Sequence, residues 1–143
     1  LLGWLISMLS IALLERSTIE YAKPNIKNVR LFQFFNLLNI IEISFFVLLT
    51  LLTLQFFYVE LHSSYGLLIV TAGFHGFVFC KTKSKASFYS LIGVGISAIA
   101  ALFFMNQWII HTWFNHIDVS HLLMSLAAWF FYKSSMNIAK GSL

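Results

Sequence analysis

The stretch LFQFFNLLNIIEISFFVLLTLLTLQFFY, residues 31–58, decides the fold. Glu42 is its single charged side chain. A helix needs about 20 apolar residues to cross the hydrocarbon layer of a bilayer, and this run exceeds that length. In lipid an open sheet would leave backbone N–H and C=O groups without partners, so the run reads as a transmembrane helix.

The same scale divides the rest of the chain. Further apolar segments fall at 1–14, 64–80, 87–105 and 119–132, the first of them short. The 143 residues are 59% hydrophobic and only 10% charged, too few charges to coat a water-soluble globule of this size. Mean hydropathy is +0.85. The expected fold is therefore all-α, a polytopic transmembrane bundle of about five helices forming a single domain over 1–143.

The nine basic residues alternate with the segments. Arg16, Lys23, Lys27 and Arg30 fall between the first two, Lys81, Lys83 and Lys85 between the third and fourth, and Lys133 and Lys140 after the fifth. The connections 59–63 and 106–118 have none. By the positive-inside rule the basic connections and the C-terminus are expected in the cytoplasm and the first residue on the opposite side. The net charge of +4 reflects this pattern, with no basic patch interleaved with aromatics, so no nucleic-acid partner is expected. Segment 1–14 lacks the basic n-region and cleavage site of a secretory signal and reads as a span or the end of one.

Cys80 is the only cysteine, which excludes an internal disulfide and a Cys-based zinc motif, and it reads as a small packing residue. Small residues at four-residue spacing, Ala72/Gly76/Cys80 and Gly93/Ser97/Ala101, are expected to face neighbouring helices. Tyr58, Tyr65, Trp108 and Trp113 are expected at the outer interface as an aromatic belt.

Ionisable groups inside a membrane are costly and mark candidate function. Depth sorts them into two layers. The outer one holds Glu60, His62, His111, His116, Asp118 and His121. Asp118, His121 and Ser125 recur at i, i+3 and i+7 and share a helix face. Imidazoles and a carboxylate suit Zn²⁺, giving His111, His116 and His121 as metal ligands and Asp118 and Ser125 as catalytic candidates. The competing assignment makes Asp118 an N-cap and the histidines interfacial hydrogen-bonders. In the inner layer Glu42 and His75 are expected as an intramembrane pair, with Asn36 and Asn39 extending the polar stripe. About half the hydrocarbon thickness separates the layers, so one metal ion is expected to draw on only one of them.

The run FNHIDVSHLLM, residues 114–124, followed by AAWFFYK, residues 127–133, resembles the last helix of bacterial proteins of the CREST superfamily, which includes alkaline ceramidases and the progestin and adiponectin receptors. The resemblance covers about the last 20 residues and implies a seven-helix, zinc-dependent hydrolase of lipid amides. It implies a zinc-ligand role for His121, and for His116 by a looser match, because the family's final-helix histidines are four apart and these are five apart. Five segments instead of seven would make the chain a fragment of such a protein.

These readings converge on a membrane protein acting as a metal-dependent hydrolase of lipid amides or esters, with zinc as cofactor and membrane lipids as partners or substrates. The alternative is a non-catalytic subunit of a membrane complex, or a small transporter component, in which Glu42 and His75 lock helices or pass protons. A lipid-sensing receptor is the third reading.

Overall fold

The computed structural model describes residues 1–108, 111 and 113–141. Among these the chain is helical, without strands apart from an isolated bridge between His111 and Phe114. The helices are α1 (Leu2–Ala22), continued by a 3-10 turn at Lys23–Asn25, α2 (Val29–Thr53), α3 (Phe57–Ser64), a π-helical stretch Tyr65–Thr71, α4 (Ala72–Thr82), α5 (Lys85–Asn106) and α6 (His116–Gly141). Among the described residues four runs are long and apolar enough to cross a membrane: Leu2–Asn25, Val29–Thr53, Phe57–Thr82 and Lys85–Asn106. The protein is thus an all-α bundle of membrane-spanning length. The chain forms two compact units, Leu1–Val78 and Phe79–Leu143.

In the first unit α1 outruns the segment 1–14 by eight residues, because Glu15, Arg16 and Glu20 are helical. Arg16 and Glu20 sit one turn apart at 3.9 Å on the exposed side, where both charges stay outside the protein interior. Glu15 instead joins the buried face with Met8, Ala12, Thr18, Ile19 and Ala22, at the three- and four-residue spacing of one helical stripe. Pro24 lies in the 3-10 turn, where its fixed φ costs nothing.

Asn28 caps α2, its side chain accepting from the backbone N–H of Arg30 at 3.0 Å and Leu31 at 3.4 Å. The helix ends at Leu54, whose φ of 53° turns the chain back after 25 residues, so the run 31–58 divides into most of α2 and the start of α3. The buried residues of α2 are Phe32, Asn39, Glu42 and Thr50, a narrow seam with polar groups on it. In its apolar window only 17% of the residues are buried inside the protein; the rest is apolar surface for lipid.

The connection expected at 59–63 is helical, and Val59 and His62 within it are buried. The small-residue face 72/76/80 is not the buried side of α4: Cys80 is exposed, and among the described residues no atom comes within 4 Å of a Cβ built at Gly76. His75 and Val78 form the buried side of α4 instead.

In the second unit α5 and α6 run antiparallel. Ser120 Oγ donates to Ala100 O at 3.2 Å and Ser134 Oγ donates to Ala86 O at 2.8 Å, which fixes one register along the hairpin. The buried side of α5 is Ala86, Ser87, Ser90, Gly93, Val94, Ser97 and Ala100, so the expected small face is present with Ala100 in place of Ala101. Without a hydrophobic drive between helices in lipid, close backbone approach and serine hydrogen bonds hold such a pair. The connection 106–118 includes residues 109, 110 and 112, which lie outside the described residues.

Candidate metal centre

Three buried side chains on three helices meet in the first unit: Glu15 from α1, Glu42 from α2 and His62 from α3. One carboxylate oxygen of each glutamate and one ring nitrogen of His62 all lie within 4.8 Å of one another. Glu15 is 1% exposed, Glu42 9% and His62 0%, so the lipid and the water outside are both excluded. Glu42 lies near the middle of α2, and Glu15 near the middle of the run Leu2–Asn25, a costly depth for carboxylates in any bilayer that these runs cross.

The hydrogen bonds define the donor atoms. His62 Nε2 lies 3.0 Å from Met8 O, a carbonyl that can only accept, so this nitrogen carries its proton and donates. His62 Nδ1 then faces Glu42 Oε1 at 2.6 Å, the length of a charge-assisted bond. That bond needs a proton between Nδ1 and Oε1; a cation that displaced it would meet an imidazole held by its far N–H on a backbone carbonyl, the usual setting of a metal-ligating histidine. Asn39 Nδ2 donates to Glu15 Oε2 at 2.9 Å and to Ala12 O at 3.4 Å, tying Glu15 to α2. Glu15 Oε1 and Glu42 Oε2 are buried without hydrogen-bond partners. Among the described residues no lysine or arginine bonds to the group, and Arg16 is engaged by Glu20.

Two carboxylates in a dry site need compensating positive charge. A divalent cation with neutral imidazole brings the sum to zero and leaves coordination positions open, so the residues fit such an ion. Beside Glu15 is a cavity of about 10 Å³ lined by Ile19, Phe35, Leu38, Asn39, Tyr65 and Val70, room for about one water. Tyr65, expected at the outer interface, lines this cavity.

The structure redistributes the residues expected from sequence. Glu42 takes His62 as its hydrogen-bond partner in place of His75. His75 is thirteen residues further along the same helical run, roughly 20 Å away, and packs with Thr18 Oγ1 at 3.5 Å from its Nε2 and with the Tyr21 ring at 5.3 Å. The separation into two layers also fails for His62 and Glu42, because α3 and the reach of the imidazole bring the first to the second.

The histidines of the second unit do not gather into a metal-compatible group among the described residues. His111 is exposed, and its Nδ1 accepts from the Trp113 N–H at 3.2 Å. His116 is half-buried against Phe104, with its Nδ1 unpartnered. His121 is exposed and its Nδ1 donates to Ile117 O at 2.8 Å, while Ser125 Oγ donates to His121 O at 2.9 Å. Asp118 is exposed and closes a capping box: Asn115 Oδ1 accepts from the N–H groups of Ile117 and Asp118, and Asp118 Oδ2 accepts from the Asn115 N–H. The N-cap is thus Asn115, and Asp118 is the third residue of the helix.

Glu15 is the residue that the sequence reading missed. Its signal was available: a lone acid at i+3 from Ala12 and i−4 from Ile19, on the apolar stripe of α1. No curated protein and no solved structure matches the chain. The chain belongs to the family described as "Family of unknown function (DUF6962)", whose match covers residues 1–140.

Proposed function

We propose that this integral membrane protein binds a divalent transition-metal ion through Glu15, Glu42 and His62 and uses it to hydrolyse lipid amides or esters. The observation that carries the reading is the convergence of the three ligand atoms within 4.8 Å in a buried site with two unpartnered carboxylate oxygens. A mixed oxygen and nitrogen donor set suits zinc, manganese or iron better than calcium or magnesium, whose preferred ligands are all oxygen. Bound there, the cation would supply Lewis-acid polarisation of a carbonyl. Met8 O orients His62, and Asn39 holds Glu15 Oε2 so that the unpartnered Oε1 is left for the cation, with room for about one water in the adjacent cavity. Zinc and lipid-amide chemistry are also what the resemblance of residues 114–133 implies, although the ligands proposed lie on the first three helices. On this reading the basic connections and the C-terminus face the cytoplasm.

The size of the cavity favours a second reading. Room for about one water admits no acyl chain, and a site of that size suits a transporter component that passes a cation or proton. Elemental mass spectrometry of detergent-purified protein tests the metal step for both. About one metal per chain is expected in wild type and in His121→Ala, and none in His62→Ala. Metal that persists in His62→Ala but is lost in His121→Ala would move the centre to α6. Release of fatty acid from a lipid-amide panel by loaded wild type separates the hydrolase from the transporter.

A further inference from the structure

The π-helical stretch Tyr65–Thr71 begins directly after the helix that carries His62. Such i→i+5 segments are rare and are usually single-turn bulges near functional sites. Gly66, four residues after His62, is buried in it. A Cβ built at Gly66 would collide with Glu15 Oε1, and it would lie 2.5 Å from Ile11 Cγ2 and 3.0 Å from Glu15 Cδ. No glycine in the described chain has positive φ, so backbone conformation does not demand glycine here. Space does. Gly73, further along the same helical run, would meet nothing within 4 Å.

We propose that Gly66 is a positioning residue of the metal centre, its absent side chain being the space that the Glu15 carboxylate occupies when it turns toward Glu42 and His62. The proposal rests on the metal reading above. Glu15 Oε2 is tied to Asn39, so the oxygen left for a cation is Oε1, and it is this atom that borders Gly66. A methyl group at position 66 must push the carboxylate aside or part the π segment from α1. Either movement spreads the three ligand atoms while leaving the lipid-facing surface unchanged.

The test is a Co²⁺ titration of the full chain in detergent, read by d–d absorption, with far-UV circular dichroism as the fold control. Gly66→Ala is expected to weaken Co²⁺ binding by about 10–100-fold, the usual cost of disturbing groups that orient metal ligands. Gly73→Ala is expected to bind as wild type. A background carrying Ile11→Ala removes the second collision and allows a double-mutant cycle. There Glu15→Asp is expected to weaken binding when residue 66 is glycine and to strengthen it when Gly66→Ala is present, because the shorter acid withdraws from the added methyl. If Gly66→Ala alone fails to fold, the triple variant is expected to regain both helicity and the Co²⁺ spectrum. Wild-type affinity in Gly66→Ala, or Glu15→Asp weakening binding equally in both backgrounds, overturns this proposal and spares the metal reading. Wild-type protein that takes up no Co²⁺ overturns both.

Discussion

His62→Ala is the most informative single substitution. The ring is 0% exposed and makes two bonds, one to Glu42 Oε1 at 2.6 Å and one to Met8 O at 3.0 Å. Hydrogen bonds to charged groups contribute about 1.5–3 kcal/mol and neutral ones about 0.5–1.5 kcal/mol in water-soluble proteins. Interhelical bonds in membranes average only about 0.6 kcal/mol with a maximum near 1.7, because the separated helices also find partners. Two bonds at the membrane maximum give roughly 3 kcal/mol. That agrees with the low end of the about 3–5 kcal/mol lost when one member of a buried pair is removed. The second term matters here because Glu42 Oε2 is already unpartnered, so the substitution strands the whole carboxylate. Reversible unfolding in mixed micelles with chelator present, followed by far-UV circular dichroism, measures it. Glu42→Leu/His62→Leu is expected to recover most of the loss, since replacing both partners by apolar groups removes the stranded charge. His62→Ala within about 0.5 kcal/mol of wild type, or a double variant less stable than the single, would mean that Glu42 is not stranded by loss of the ring.

Three further outcomes are expected. Metal at about 100 times its Kd should stabilise wild type by about 2.7 kcal/mol in the same unfolding assay and leave His62→Ala unchanged. In a Cys80→Ser background, Gln55→Cys should react with an impermeant thiol reagent on intact cells, whereas Lys83→Cys should react only after permeabilisation; the reverse pattern would invert the topology. Gly93→Ala should destabilise the α5/α6 hairpin by about 1–3 kcal/mol, since its Cβ would lie 3.0–3.2 Å from the Phe131 ring, and unfolding that follows the wild-type curve would show that the ring yields freely.

Residues 31–58 and the other apolar runs determined the class of the protein by themselves, because bilayer thickness and the demand for paired backbone groups leave a long apolar run few options. The alternation of basic residues is legible too, and it makes the side of each connection an expectation that the thiol-labelling pair tests. Helix ends were less so. The charges of Arg16 and Glu20 concealed eight further residues of α1, although a charged side chain on the exposed face of a helix does not break it.

The site depended on tertiary structure. Glu42 and His75 looked paired because both lie within apolar runs, and His62 looked like a loop residue because a short polar stretch surrounds it. What decided the partnership was helix α3, which starts at Phe57 and carries His62 back toward α1 and α2. Periodicity assigns a residue to a face of its own helix, but it carries no information about which face of which neighbour lies opposite. Rotation and axial offset between helices come from side-chain packing, here from Gly66 against Glu15 and Asn39 between α2 and α1. The sequence alone therefore determined that this chain is a set of helices long and apolar enough to span a membrane, with acids and histidines among them. Only the fold decided that Glu15, Glu42 and His62 meet, because three side chains on three helices become neighbours through packing, a property that no one-dimensional pattern contains.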